Sequence, residues 1–184
     1  MCSECMNVVE TTLPGVLLVE PDLFEDHRGL YLPMYDEKLY APHIPVRFVQ
    51  DSIITSHKNV LRGIHGDKMS WKLVSCIRGE IYQVVVNCDL SSEDFGKWFA
   101  ITLTGKKLEQ LVIPPNYGNA FLIMSDEAIY NYKQSTCYDP SLHAQQFTYR
   151  WDDPFFGIPW PTKNPILSNR DANAKFFERK IKPS

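Results

Sequence analysis

The stretch from Asn59 to Asp67, NVLRGIHGD, places a titratable ring among apolar residues and glycines. Arg62 precedes His65 closely, and Lys72 follows a few residues later. An imidazole exchanges protons near neutral pH, and arginine and lysine supply the positive charge that holds an anion. These residue types favour acid–base chemistry on an anionic substrate. Taken alone, however, a histidine in such a position is more often a structural residue.

Two further segments carry groups that suit the same chemistry. In EAIYNYKQST, Tyr130 and Tyr132 share one face of a predicted strand, with Lys133 beside them. A strand tyrosine usually packs in a core, but its phenol can act as a general acid when a substrate lies within hydrogen-bonding reach. In WPTKNPILSNRDA, Asp171 either complements the N-terminus of a helix or orients a histidine and favours its protonated form.

The sequence gives little support for a metal centre. It contains no His-x-His pair followed by a glutamate, and its one Cys-x-x-Cys, formed by Cys2 and Cys5, has no second pair. Five cysteines, an odd number, without a recognisable secretory signal predict free thiols in a reducing compartment. We therefore predict a cytoplasmic protein without a metal site.

Composition limits the possible partners. The chain has 184 residues, the size of one domain, with 44% hydrophobic and 22% charged residues. A net charge of −3 provides no broad basic surface for nucleic acid, so an anion must be met by a local cluster of arginine and lysine. No apolar run approaches the ~20 residues of a membrane span. We predict one domain over residues 1–184 that binds neither nucleic acid nor a membrane.

Short apolar segments separated by proline and glycine must position these groups. The predicted strands are GVLLVEP, GLYLPMY, RFVQDSIITS, KLVSCI, EIYQVVVNCDL, WFAITLT, EQLVIPP, AFLIMSD and AIYNYKQS. Arg78 and Gly79 predict a two-residue hairpin between the fourth and fifth of them. In the fifth, alternation predicts that one face meets a core and the other lines a pocket. The core face carries Tyr82, Val84, Val86 and Cys88, and the pocket face carries Ile81, Gln83, Val85 and Asn87.

Helix signals are weak and lie near the C-terminus. SNRDANAKFFERKIK, residues 168–182, is the best candidate, with Ser168 or Asn169 as its N-cap. YDEKLYAP is expected to hold a short helical turn. The pattern as a whole predicts an all-β jelly-roll with a small C-terminal helical tail.

An ordered set of motifs carries a resemblance to a known family. The motifs are DHRGLYLPMY, FVQDS, NVLRGIHGD, KLVSCIRGEIYQVVVNCD, FGKW, LVIPPNYGNAF, YNYK, WDDP and WPTKNPILSNRD. Over roughly residues 10–172, the chain resembles the RmlC-like cupin nucleotide-diphospho-4-keto-sugar 3,5-epimerases. The resemblance implies a cupin double-stranded β-helix whose core covers about residues 45–140, with N-terminal strands and a C-terminal helical segment packed on it. It also implies a homodimer without a cofactor.

The resemblance implies a role for each matching catalytic position. His65 corresponds to the general base, and Asp171 to its carboxylate partner. Tyr132 corresponds to the general acid on the opposite face of the sugar. Lys72 corresponds to the cation that steadies an enolate oxygen, where charge appears mainly in the transition state.

Substrate-binding roles follow from the same resemblance. Arg28 and Arg62 correspond to residues that grip the diphosphate, and Gln50 corresponds to a contact with the nucleotide or sugar. Tyr31, in GLYLPMY, is expected to reach across a dimer interface to the partner's nucleotide pocket.

The chain departs from members that use dTDP at several positions. Pro33 stands where those members commonly carry a thymine-reading glutamate. Asn119 replaces a second site histidine, and Gln83 replaces a carboxylate, so we expect both to contact the substrate. Gly66 replaces an aromatic residue, which predicts extra space beside His65.

These departures resemble the GDP-4-keto-heptose epimerases of bacterial capsule synthesis. The predicted function is therefore 3,5-epimerisation, at C3, C5 or both, of a GDP-linked 4-keto-heptose. Three alternatives remain open: a dTDP-4-keto-6-deoxyhexose 3,5-epimerase, a sugar-nucleotide 3,4-ketoisomerase, and a non-catalytic cupin that binds a nucleotide sugar.

Overall fold

The computed structural model describes residues 6–137 and 139–178. The Cys2–Cys5 motif therefore lies outside the described residues. The strands of the described part are β1 (Met6–Glu10), β2 (Leu17–Pro21), β3 (Phe24–Asp26), β4 (Gly29–Tyr31), β5 (Gln50–His57), β6 (Leu61–Asp67), β7 (Lys72–Arg78), β8 (Glu80–Asn87), β9 (Trp98–Thr104), β10 (Gln110–Ile113), β11 (Tyr117–Ile123), β12 (Glu127–Gln134) and β13 (Gln146–Thr148). Its helices are α1 (Glu37–Tyr40), a 3₁₀ helix (Pro140–Gln145) and α2 (Asn169–Ala172).

Two antiparallel sheets form the body of the protein. The six-stranded sheet has the order β1-β2-β10-β7-β12-β5, and the five-stranded sheet has the order β13-β6-β11-β8-β9. A separate two-stranded ribbon consists of β3 and β4. The predicted all-β architecture with a small C-terminal helix is confirmed.

The main core lies between the two sheets, and each sheet also has a covered outer face. Side chains from both sheets, such as Val74 and Val85, belong to one buried cluster. Tyr40, at the end of α1, and Ile44 cover part of the outer face of the six-stranded sheet. The predicted helical turn in YDEKLYAP is confirmed, and its N-cap is Asp36, whose side chain accepts the N–H of Lys38.

Strand β8 is buried on both faces, which differs from the prediction. Ile81 and Val85 pack between the sheets, whereas Val84 and Val86 pack on the outer face against Phe156. The prediction that only one face of this strand meets a core is therefore wrong. Alternation did not predict this because aromatic residues of the C-terminal segment cover the outer face of the sheet. The side chains on both faces of β8 are therefore shielded from water.

The connection at Arg78 and Gly79 is not a hairpin. It carries the chain out of β7 in the six-stranded sheet and into β8 in the five-stranded sheet. Gly79 has φ of 84°, and a Cβ at this position would lie 2.3 Å from the carbonyl oxygen of Glu127. Gly79 thus allows a sharp change of direction, as its residue type indicated. The predicted pairing of the two strands is wrong, because β7 pairs with β10 and β12 rather than with β8.

The C-terminal helix is much shorter than predicted. It begins after the N-cap Ser168, whose hydroxyl accepts the N–H of Asp171, and it ends at Ala172. Downstream, the N–H of Phe177 donates to Asp153 at 2.5 Å, and the ring of Phe177 lies 4.7 Å from that of Phe155. These contacts hold the segment after α2 against residues 153–155 without continuing the helix. Residues 179–184 lie outside the described part.

Strands β1 and β2 are part of the larger sheet, because β2 pairs directly with β10.

Within the described residues, no helix combines the length and the apolar character that crossing a membrane requires.

Candidate active site

A cavity of about 220 Å³ is lined by both large sheets and by α2. Its walls are formed by Ile54, Arg62, His65, Lys72, Asn119, Phe121, Tyr130, Tyr132, Ser168 and Asp171. The sequence predicted most of the polar members of this set. The fold brings them together because β6 and β11 belong to one sheet, whereas β7 and β12 belong to the other.

His65 and Asp171 form a hydrogen-bonded pair at one wall. Nε2 of His65 contacts Oδ1 of Asp171. The Asp171 side chain is 1% exposed, whereas that of His65 is 35% exposed, so the carboxylate lies behind the ring. One ring nitrogen is thus engaged, and the other is left to exchange a proton with a bound molecule.

Asp171 is held as an anion. Burial acts to raise the pKa of Asp171, but the hydrogen bond and charge of His65 outweigh burial, with help from Ser168 and the backbone of Gly63. The pKa of this carboxyl consequently lies below its ordinary value. A buried carboxylate beside an imidazole stabilises the imidazolium that forms when the ring accepts a proton.

Tyr130 and Tyr132 lie on the same face of β12, yet their surroundings differ. Tyr130 is buried, stacks on Phe121 with ring centroids 4.0 Å apart, and accepts a hydrogen bond from Asn119 at 3.1 Å. Burial raises the pKa of Tyr130 far above its ordinary value. Tyr132 is only half-buried and lines the cavity from the six-stranded sheet, across from the strand that carries His65.

Two cations line the cavity. Lys72 is 8% exposed, and its Nζ lies 2.7 Å from Oδ2 of Asp67. Arg62 donates from Nε to the hydroxyl of Ser56 at 3.1 Å.

Asp67, the partner of Lys72, was not among the residues predicted for the site. Strand alternation was the signal that could have found it, because alternate residues place His65 and Asp67 on the same side of β6.

Asn119 and Gln83 form a neutral pair where the sequence predicted two substrate contacts. Nε2 of Gln83 donates to Oδ1 of Asn119 at 2.6 Å and to the carbonyl of Ala120 at 3.1 Å. Asn119 lines the cavity, but Gln83 is 0% exposed and lies behind it. The expectation that Gln83 lines the pocket is therefore wrong, because Asn119 on the neighbouring strand covers it.

Three predicted binding residues lie away from this cavity in the single chain. Arg28 is exposed near the tip of the β3–β4 ribbon, with Nη2 2.6 Å from the carboxylate of Asp26. Tyr31, on β4, is 70% exposed. Gln50, at the start of β5, donates to the hydroxyl of Ser52 at 3.3 Å. The fold alone does not bring these three side chains to the cavity wall.

Gly66 does not enlarge the cavity. A Cβ built on Gly66 would lie 2.2 Å from the ring of Phe147 and 2.6 Å from the carbonyl oxygen of Tyr117. Phe147 packs with the outer cluster of the five-stranded sheet. The prediction of extra space beside His65 is wrong, because consecutive residues of a strand point to opposite faces, and a side chain at position 66 would lie on the face away from His65.

Among residues 6–137 and 139–178, no group of three or more His, Cys, Asp or Glu side chains is arranged to hold a metal ion. The groups that line the cavity include the imidazole of His65, the phenol of Tyr132 and the ammonium of Lys72.

Comparison with known proteins identifies the family. Residues 10–179 match the family described as dTDP-4-dehydrorhamnose 3,5-epimerase. This chain belongs to that family. The dTDP-4-dehydrorhamnose 3,5-epimerase of Shigella flexneri is 37% identical over 177 residues, covering 94% of this chain and 96% of that protein. The enzyme of the same name from Methanothermobacter thermautotrophicus is 36% identical over 173 residues, covering 91% of this chain and 92% of that protein.

Solved structures agree with the family assignment. The dTDP-6-deoxy-D-glucose-3,5-epimerase of Legionella pneumophila, in complex with dTDP-4-keto-L-rhamnose, superposes with a TM-score of 0.87 at 34% identity, covering 93% of this chain and 92% of that one. A 4-keto-6-deoxy sugar epimerase from the novobiocin cluster of Streptomyces spheroides gives 0.87 at 31% identity, covering 94% and 88%.

These comparisons confirm the RmlC-like resemblance, the cupin fold class and the prediction of an isomerase. The names of these epimerases refer to dTDP-linked or 4-keto-6-deoxy sugars. The narrower resemblance to GDP-4-keto-heptose epimerases finds no support among them.

Proposed function

We propose that the protein is a 3,5-epimerase of a nucleoside-diphospho-4-keto sugar, with His65 as general base and Tyr132 as general acid. One observation carries the proposal. His65 on β6 and Tyr132 on β12 come from the two large sheets and line a single cavity. Inversion of a carbon centre requires a base and an acid on opposite faces of the substrate, and this arrangement supplies both.

The chemistry follows from the acidity of a carbon next to a ketone. His65 removes the proton from that carbon, and the electron pair moves onto the C4 oxygen to give an enolate. The resulting imidazolium is stabilised by Asp171. Tyr132 then returns a proton to the opposite face, the carbonyl re-forms, and the carbon is inverted. Solvent restores the proton of Tyr132 and takes the one held by His65.

Two cations support this sequence. Lys72 stabilises the negative charge that develops on the C4 oxygen, and a group of this kind typically accelerates a reaction on the order of a hundredfold or more. Arg62 holds the diphosphate, because the guanidinium fork matches phosphate oxygens. The proposed sequence needs no redox cofactor, since each step moves a proton and leaves the oxidation state of the sugar unchanged.

For the substrate, a dTDP-linked 4-keto-6-deoxyhexose is the leading candidate. Relatives with this specificity in their names are 36–37% identical and match more than nine-tenths of this chain. A GDP-linked 4-keto-heptose is the second candidate. It is favoured by Pro33, an exposed residue without a side-chain acceptor where dTDP users commonly carry glutamate, and by Asn119 in place of a histidine.

Hydrogen exchange in heavy water tests the proposal. The purified protein should place deuterium at the carbons flanking the ketone, as read by NMR or mass spectrometry, when given either nucleotide sugar. His65→Ala should abolish exchange because the base is lost. Full exchange in His65→Ala would contradict the assignment of the base, and faster turnover of the GDP-linked heptose would reverse the order of the two substrates.

The structure of the product distinguishes an epimerase from a 3,4-ketoisomerase and from a non-catalytic binding module. A 3,4-ketoisomerase would move the carbonyl and yield a product that is not an epimer. A binding module would hold the nucleotide sugar without exchange. Inverted stereochemistry at C3, C5 or both, with the carbonyl still at C4, distinguishes an epimerase from both alternatives.

The proposal includes a homodimer in which the β3–β4 ribbon of one protomer completes the nucleotide-binding site of its partner. Phe24, Leu30 and Tyr31 are large hydrophobic residues of this ribbon that are 47%, 44% and 70% exposed. Arg28 lies beside them and does not line the cavity of its own chain that holds His65. A second copy that covers the ribbon would bury these side chains and bring Arg28 to a diphosphate.

A further inference from the structure

Asp67 contacts Lys72, a cation of the candidate site, but does not itself line the cavity. Its Oδ2 lies 2.7 Å from Nζ of Lys72, and the two side chains are 14% and 10% exposed. An ion pair this enclosed is screened by salt far less than a surface pair. Removing one partner would leave the other charge buried and uncompensated.

The carboxylate of Asp67 is itself fixed in place. Its Oδ1 accepts the N–H of Met69 at 2.9 Å and that of Ser70 at 2.5 Å. The backbone of Asp67 pairs with Gln146 on β13, and its carbonyl accepts the N–H of Asn116 at 2.8 Å. Backbone contacts to β13 and Asn116 and the turn after β6 therefore fix the carboxylate of Asp67. The ion pair in turn restricts Nζ of Lys72 to the neighbourhood of this carboxylate.

The three N–H groups of Lys72 can then be assigned. One donates to Asp67, and a second points to the carbonyl oxygen of Ser70 at 3.5 Å. The third remains for the cavity that Lys72 lines. Burial acts to raise the pKa of Asp67, but the charge and hydrogen bond of Lys72, together with the N–H groups of Met69 and Ser70, outweigh it and hold that pKa below its ordinary value. Asp67 is therefore an anion at neutral pH and attracts the side chain of Lys72.

We propose that Asp67 is a positioning residue, which holds the ammonium of Lys72 against the cavity wall where the enolate oxygen forms. Strand β6 then carries both the imidazole of His65 and the carboxylate that places the cation. The geometry of one strand thus sets the base relative to the group that stabilises charge. The catalytic meaning of this proposal rests on the proposed function, whereas the anchoring is measurable without any substrate.

The substitution Asp67→Asn separates anchoring from a role in the turn alone. An asparagine oxygen still accepts the N–H groups of Met69 and Ser70, so the turn is retained, but the charge that holds Lys72 is lost. Labelling with acetic anhydride at pH 8, read by mass spectrometry of the Lys72 peptide, should rise at least about threefold, because the amine is no longer held in the ion pair and becomes more accessible to the reagent. Unchanged labelling of Lys72 would overturn the proposal.

Asp126→Asn is the matched control. Asp126 pairs with Lys58 at 3.6 Å on the surface, where its side chain is 99% exposed, so this variant removes the same charge away from the cavity. The labelling of Lys72 should stay at the wild-type level. A rise equal to that in Asp67→Asn would mean that net charge, rather than the contact, controls the reactivity of Lys72, and would also overturn the proposal.

Kinetics test the positioning role. In Asp67→Asn, kcat should fall on the order of tenfold, with a smaller change in KM, because the cation acts mainly in the transition state. In a Lys72→Met background, the same substitution should cause no further loss of kcat, since the group to be positioned is absent. Equal losses in both backgrounds would assign Asp67 a purely structural role.

The two proposals fail in different ways. A wild-type protein without hydrogen exchange on any 4-keto nucleotide sugar would refute the proposed function, while the labelling result still decides the anchoring of Lys72. Where Asp67→Asn alone folds poorly, the double variant Asp67→Asn with Lys72→Met, which leaves no unpaired buried charge, should fold again; its failure to fold would assign Asp67 to the turn alone and overturn the proposal.

Discussion

At the residue scale, the hydrogen bond between His65 and Asp171 fixes the orientation of the imidazole that the proposed mechanism uses as its base. The carboxylate is buried, and its pKa lies below the ordinary value even though burial acts to raise it. An anion in this position orients the ring and stabilises the imidazolium, so its effect should appear in the rate of proton abstraction rather than in substrate binding.

Asp171→Asn tests this role. The amide keeps the size of the side chain but removes the charge, so we expect kcat for deuterium exchange to fall by about 10²–10⁴-fold, with a small change in KM. Exchange kinetics measured by mass spectrometry check this outcome. Retention of wild-type kcat would show that the imidazole works without its carboxylate.

The same substitution has a signed effect on stability. Because the folded-state pKa of Asp171 is depressed, the ionised carboxylate stabilises the fold above the ordinary carboxyl range, and that contribution is lost as the pH falls through the folded-state value. Asp171→Asn lacks this contribution. Its urea midpoint should therefore change less than that of the wild type between about pH 5 and pH 2.

Tyr132→Phe separates the acid from the base. His65 remains, so exchange of the substrate proton should persist, because solvent can return a proton from the original face. Inversion should fall on the order of a hundredfold, since the phenol that protonates the opposite face is gone. Tyr82→Phe, on the outer face of β8 near Trp160, is the matched control and should invert substrate at the wild-type rate. Equal loss of exchange and inversion in Tyr132→Phe would remove the distinction between the two groups.

At the element scale, the passage from β7 to β8 turns two neighbouring segments into members of different sheets. Gly79 makes this possible, because its φ of 84° and the nearby carbonyl of Glu127 leave no place for a side chain. The crossing matters for the site. It places Lys72, at the start of β7, in one sheet, while β8 continues in the sheet that carries His65.

Gly79→Ala should therefore destabilise the fold. We expect the free energy of unfolding in urea to fall by about 1–3 kcal/mol, because strain at a positive φ adds to the contact with Glu127. Gly29→Ala is an informative comparison, because Gly29 also has a positive φ of 125° but no atom within 4 Å of the added Cβ. Its smaller loss would measure the backbone strain alone, and an equal loss would remove the clash as a cause.

At the scale of the whole molecule, the cavity of a single chain lacks two of the residues predicted to bind the nucleotide. Arg28 and Tyr31 lie on the β3–β4 ribbon, outside the cavity wall. A homodimer would supply them in trans, and this can be tested by complementation between two impaired variants.

Subunit complementation gives a direct prediction. Arg28→Ala should weaken substrate binding, and His65→Ala should abolish exchange. A heterodimer of the two, purified by two different affinity tags after co-expression, contains one site with both residues intact. It should recover about half of the wild-type exchange rate per dimer. If Arg28 serves the cavity of its own chain, neither site of the heterodimer is complete, and exchange at low substrate concentration stays at about half the rate of the Arg28→Ala homodimer.

The sequence by itself determined the class of fold and most of the cavity residues. Short apolar segments between prolines and glycines predicted strands, and the family resemblance carried by the motifs around His65, Tyr132 and Asp171 implied the acid–base set. Local patterns suffice for the strands because side-chain type and alternation are properties of neighbouring residues.

Only the tertiary structure decided how these segments meet. It separated β7 from β8, shortened the C-terminal helix in favour of the contacts of Phe177, and turned Gly66 away from the cavity. It also distinguished buried Tyr130 from Tyr132 and brought Asp67 to Lys72. Such contacts depend on which strands pair and which faces are covered, and that choice is made by the burial of the whole chain rather than by any local pattern.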